Sequence, residues 1–143
     1  MIATFLFYDI AQGAQSILAF SKEFKHCGLV MFDGEHSCLY SYNKAGIKTQ
    51  ILKAANLNEL INSMKRVTRC TGIVSVEIIQ PANIWWKPLM IRSCNEIARY
   101  LSGIDIGLTA NPRHLYNKLL KYHGKRNYEL LYAWRRSNGV QQR

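Results

Sequence analysis

From its amino terminus the chain opens on an unbroken run of β-branched and aromatic residues. Ile2–Tyr8 (IATFLFY) predicts a strand that stops at polar Asp9. Ala11–Phe20 suits a short helix packing through Ile17, Leu18 and Phe20. Phe24–Phe32 (FKHCGLVMF) predicts another strand. Asp33-Gly34 then gives a tight turn, because glycine tolerates the positive φ it requires, and Ser37–Tyr42 is the return strand. After a break at Ala45-Gly46, Ile47–Leu52 (IKTQIL) alternates, so residues 24–52 read as an antiparallel meander.

Beyond residue 55 the period changes. Leu57, Leu60, Ile61 and Met64 recur at helical spacing behind Asn56, a natural N-cap, and predict a helix through Lys65. Thr71–Gln80 (TGIVSVEIIQ) is a strong strand ended by Pro81. Ile84-Trp85-Trp86, ahead of Pro88, reads as a loop or extended segment with aromatic anchors. Ser93–Ser102 is the best-specified helix. Ser93 and Glu96 form the S-x-x-E capping pattern ahead of Ile97, Leu101 and Ile104, and Gly103 stands where a left-handed stop belongs. Asn111-Pro112 predicts the start of a last helix through His114, Leu115, Leu119 and Leu120. A basic, aromatic tail follows from about Lys121.

These elements predict an α+β fold. Its antiparallel sheet, from residues 24–32, 37–42, 47–52 and 73–80, packs on a helix with Cys94 at its N-terminus. With 143 residues, 1–143 reads as one domain with room for a core of its own. The hydrophobic share of 48% argues against a disordered chain. No apolar run reaches the ~18–20 residues of a helical membrane span. Met1–Tyr8 lacks the basic leader of a secretory signal.

Charge adds a preference for partners. Nineteen Lys and Arg against nine Asp and Glu give a net +10, which favours anionic surfaces. The stretch NKLLKYHGKRNYELLYAWRR interleaves bases with aromatics, as surfaces that hold nucleic acid or acidic protein do, although a solvated face has the same composition. Cysteines 27, 38, 70 and 94 form no C-x-x-C pair and are expected as reduced thiols. A zinc site from His26, Cys27, His36 and Cys38 is disfavoured because adjacent strand residues point to opposite faces. No cofactor is expected.

Two residues carry candidate chemistry. Cys94 takes the first position of its helix, where unpaired N–H groups and the helix dipole favour thiolate, the nucleophilic form. Its alternative is an inert buried thiol. His26 lies near the start of an apolar strand, where it either hydrogen-bonds, acts as a base, or stands exposed at the edge. His36, His114 and His123 read as solvated. Trp85 and Trp86 could line a cleft, but anchoring the crossover to the core accounts for them more simply.

Taken together, Phe24–Leu29, Lys44–Ile47, Trp85–Trp86, the S-C-x-E helix Ser93–Ile104 and Asn111–Tyr116 give the chain a resemblance. It is similar to the circularly permuted papain-like fold, which includes NlpC-like peptidases and the lecithin retinol acyltransferase family. It more closely resembles short peptidase-like proteins of tailed bacteriophages. The resemblance covers roughly residues 15–122. It implies a Cys94 nucleophile, a His26 base and a third polar group near Ser41, with Tyr40 and Asn43 as alternatives. Relatives tend to carry an acid or amide there, whereas Ser41 has no charge to offer an imidazolium. Two functions follow: a thiol hydrolase acting on a peptide or other amide, or a weakly active adaptor in a virion. The resemblance also implies contacts with other virion subunits, association into a homo-oligomer within a particle, and a place in the virion or host cytoplasm. A nucleic-acid-binding module is a third reading, resting on charge alone.

Overall fold

The computed structural model describes residues 1–9, 24–43, 46–54, 56–67, 69–82 and 93–136. The helix expected over Ala11–Phe20, and Trp85 and Trp86, lie outside them. The described elements run β1 (Ile2–Tyr8), β2 (His26–Phe32), β3 (Ser37–Asn43), β4 (Gly46–Leu52), α1 (Leu57–Val67), β5 (Gly72–Ile78), α2 (Cys94–Ser102), α3 (Pro112–Tyr122) and β6 (Tyr128–Arg135). The strands form one six-stranded sheet in the order β4-β3-β2-β1-β5-β6, with every neighbouring pair antiparallel. The fold is therefore α+β, with the meander of residues 24–52 in place and α2 packed on β2.

β1 lies inside the sheet, between β2 and β5, and both of its faces are covered. This explains why IATFLFY is continuously apolar rather than alternating. Ala3, Phe5 and Phe7 enter a core shared with α2 and α3 through Ala98, Leu115 and Leu119. Leu6 enters a second core under α1, with Val30, Leu60, Ile61 and Met64. Each fully buried Phe or Leu contributes about 2 kcal/mol from lost contact with water. The one polar step on this strand, Thr4, is buried and pairs its hydroxyl with Ser75 at 2.9 Å.

The helix boundaries follow local chemistry. Asn56 accepts the Glu59 N–H at 2.9 Å and Asn111 accepts that of His114 at 2.8 Å, each satisfying an N–H that the first turn leaves unpaired. Gly103 ends α2 in the left-handed region, at φ 69°. The Ser93 capping pattern forms only in part. Ser93 Oγ accepts the Glu96 N–H at 3.4 Å, but the Glu96 carboxylate turns instead to Arg99 (3.0 Å) and to the Thr109 N–H (2.7 Å). Asn95 reaches the same loop through the Thr109 carbonyl, at 2.6 Å. A buried polar cluster thus ties the start of α2 to the chain ahead of α3.

The segment expected as a tail from Lys121 finishes α3 and then forms β6 along β5. A bulge between Ser75 and Val76 changes its register. Tyr128 and Leu130 consequently pack into the α2/α3 core, while Tyr132 and Trp134 pack toward α1. Lys65 of α1 lies over both of the latter rings and donates to the Tyr132 hydroxyl at 2.6 Å.

One close approach positions the entry to β2. Phe24 has φ 52°, a strained value for a residue with a side chain, and its N–H is held by Asp9 Oδ1 at 3.0 Å. Its ring stacks on Phe7 and on Tyr116 of α3, at 5.1 and 4.9 Å. Gly72 on β5 leaves space for that ring, since a Cβ there would lie 2.9 Å from Phe24 Cζ.

Candidate active site

Cys94 is the first residue of α2, and Ser93 before it is extended, so the thiol stands at the helix start as the spacing predicts. Leu29 and Cys27 of β2 face α2, and the Cys27 N–H donates to Cys94 Sγ at 3.4 Å. Strict alternation would send His26 to the opposite face with Val30 and Phe32. At the first position of the strand, two residues after the left-handed Phe24, its side chain nonetheless comes within hydrogen-bonding reach of the Cys94 thiol. Tyr8, its partner on β1, covers the imidazole with ring centroids 5.7 Å apart.

The electrostatics of the pair favour thiolate. The Cys94 pKa is lowered to about 5. The largest cause is a hydrogen bond from the Cys27 thiol. Burial opposes it, and the His26 side chain, its charge and the Cys27 N–H act in the same direction as the Cys27 thiol. Cys27 moves the other way: burial, then the Cys94 sulfur beside it, hold its proton on. One sulfur therefore carries the charge and its neighbour keeps the proton.

Ser41 lines the same narrow cavity as Cys94, Cys27, Ile97 and Leu101, a space of about 10 Å³ between β3 and α2. It does not bond the imidazole: His26 Nδ1 is buried and has no hydrogen-bond partner among the described residues. Tyr40 is engaged with Cys38, whose side-chain bond is the main cause raising the tyrosine pKa. The side chain of Asn43 is outside the described set. Cys94 and His26 are thus brought together, while His26 Nδ1 has no group among the described residues to fix the imidazole tautomer.

The remaining candidates fall elsewhere. His36 is exposed in the Asp33 turn, 3.5 Å from that carboxylate, and His114 Nδ1 accepts the Ala110 N–H at 3.2 Å. Among the described residues no three His, Cys, Asp or Glu side chains cluster as a metal site, and no helix is long and apolar enough to cross a membrane. The residue that sequence reasoning missed is Cys27. A lone cysteine in an apolar strand has the signature of a small hydrophobe. Its pairing with Cys94 exists only once α2 has docked on β2.

No family model matches the sequence, and no match was found among curated proteins or among solved structures.

Proposed function

We propose that the protein is a papain-like thiol hydrolase of the amidase or peptidase class, of the kind that tailed phages encode. Cys94 is the nucleophile and His26 the base. The observation that carries this reading is the placement of the Cys94 thiol, at a helix start and beside His26, with its pKa lowered to about 5. In this reading Cys94 sulfur attacks the carbonyl carbon of an amide. Backbone N–H groups at the start of α2 stabilise the oxyanion, and the His26 imidazolium gives its proton to the departing amine. Water, deprotonated by His26, then cleaves the thioester and releases the acid and the Cys94 thiolate. Ser41, which the resemblance puts in the third place, does not bond the imidazole and carries no charge, so it gives the imidazolium none of the support that a contacting carboxylate would.

The setting follows from the resemblance rather than from the site: a virion or host cytoplasm, with a peptide or other amide as substrate and neighbouring virion subunits as partners. The basic residues of α3 and β6 suit contact with nucleic acid or acidic protein, and the particle allows self-association.

A second reading, a weakly active or inactive virion adaptor on the same scaffold, has its own support. His26 Nδ1 has no partner among the described residues, Cys94 is only 3% exposed, and the cavity beside it has room for about one water. Incubation with a p-nitrophenyl ester separates the two. The hydrolase reading expects a burst of p-nitrophenol, an acyl mass on the Cys94 peptide, and neither in Cys94→Ala. A wild-type chain with no acyl adduct at Cys94 leaves the adaptor as the function.

A further inference from the structure

We infer that Cys27 and Cys94 form a peroxide-sensitive thiol pair that closes to a disulfide across the β2–α2 contact. The inference needs no turnover at Cys94, so it goes beyond the hydrolase reading and would hold for the adaptor as well.

The geometry carries it. Cys27 and Cys94 line one cavity, their side chains hydrogen-bond to each other, and the Cys27 N–H lies 3.4 Å from the Cys94 sulfur. The other two thiols are elsewhere. Cys70 belongs to the α1 core and donates to the Met64 carbonyl at 3.9 Å, and Cys38 bonds Tyr40 and lines a different depression with Met31 and His36. Of the three other thiols, Cys27 is therefore the one beside Cys94. The space beside it, about 10 Å³, admits a molecule the size of water, and hydrogen peroxide is not much larger.

The chemistry balances with a peroxide as oxidant. The Cys94 thiolate attacks one peroxide oxygen and the O–O bond breaks. Sulfur is oxidised to sulfenic acid, and the hydroxide released takes a proton from the His26 side to leave as water. Cys27 then gives up its proton and attacks the Cys94 sulfur. An S–S bond forms, the S–O bond breaks, and the second oxygen leaves as water. Two thiols and one peroxide become one disulfide and two waters. The charge on one sulfur and the proton on its neighbour are the arrangement in which the first attacks and the second resolves. The product ties up Cys94 and staples α2 to β2 until a dithiol reduces it.

The test treats the full chain with stoichiometric hydrogen peroxide, blocks remaining thiols in denaturant, and maps peptides by mass spectrometry. The expected result is a Cys27–Cys94 linked peptide, an intact mass lower by two hydrogens, and complete reversal by dithiothreitol. In Cys27→Ser, Cys94 should instead be trapped as a dimedone adduct, and with excess peroxide and no dimedone it should proceed to sulfinic acid. Because that substitution also alters the site, the wild-type map stands by itself. A Cys94 sulfenate that persists in the wild type, a link to Cys38 or Cys70, similar oxidation of all four cysteines, or no oxidation would each overturn the inference. An ester burst with no linked peptide removes the pair and leaves the hydrolase; a linked peptide with no burst does the reverse.

Discussion

The backbone N–H of Cys27 is aimed at the sulfur of Cys94 across 3.4 Å, from the edge of β2 to the first turn of α2. A sheet strand thereby supplies a donor to a helix-borne thiol, as an addition to the N–H groups of the helix itself. With the Cys27 thiol and His26 on the same side of the balance, that sulfur is biased toward its charged form while nearly closed to water.

Ionisation of Cys94 is directly measurable. Thiolate absorbance in the ultraviolet, followed against pH and corrected with Cys94→Ala, should show one group titrating near pH 5. His26→Ala should move that midpoint upward by a unit or more, because a hydrogen bond and a positive charge are lost together. A midpoint unchanged by the substitution would mean that the imidazole does not act on the sulfur.

Alkylation reports the same bias as a rate. At pH ~6–7 an ordinary thiol, pKa ~8.5, is mostly protonated, so iodoacetamide should label Cys94 at least about tenfold faster than Cys27 or Cys70. His26→Ala should slow Cys94 alone. Equal rates at all four cysteines, mapped by mass spectrometry, would favour the adaptor.

Stability should follow the same ionisation. The folded state holds Cys94 as thiolate from about pH 5, whereas the unfolded chain keeps that proton until near its ordinary value of 9.0. Between those limits the unfolded state binds the extra proton, so stability rises with pH. Cys27, held protonated in the fold, reverses the trend above pH 9. Denaturant melts of wild type and Cys94→Ala across pH 5–9 should therefore diverge, the wild type gaining relative to the variant as pH rises. Parallel curves would show that the folded thiol is not ionised in this range.

Glu96 anchors the start of α2 by a different route. Burial works against its charge, but bonds from Arg99 and Thr109 more than compensate and hold its pKa below the ordinary 4.5. Glu96→Ala strands a buried guanidinium, a loss of about 3–5 kcal/mol. Urea unfolding should show it, with an added loss of wild-type stability as pH falls below about 4.5 that the variant lacks. A cost under about 1 kcal/mol would mean that water takes the carboxylate's place.

Much of this architecture is legible in local signals. The Asp33-Gly34 turn, the Asn56 and Asn111 caps, Pro112 at a helix start and the Gly103 stop each depend on neighbours within four residues, and each stands where the spacing puts it. β6 was hidden by its charge. Tyr128, Leu130, Tyr132 and Trp134 alternate through the segment, but the bases on either side of them (Lys121, Lys125 and Arg126 before, Arg135 and Arg136 after) give the stretch the look of a solvated arm, and the bulge that splits the four between two cores is a property of pairing with β5. Glu96 kept its capping spacing and found better partners in a loop thirteen residues on, a choice that only tertiary packing offers. At the site, the place of Cys94 at a helix start is legible from the S-C-x-E spacing, whereas its pairing with His26 is what the resemblance implies. Cys27 was not, because its significance lies in a neighbour 67 residues away.

The Phe24–Gly72 contact extends the site beyond its own chemistry. Phe24 is clamped by Phe7, Tyr116 and the bare backbone of Gly72, and two residues later the chain delivers His26. Any side chain at Gly72 pushes that ring, and with it the angle at which β2 begins. The imidazole's aim is thus inherited from a glycine on another strand that never meets a reactant. A mutational map of function should carry a hot position there, on the far side of β1, and should be blind to it if only the reactive groups are scanned.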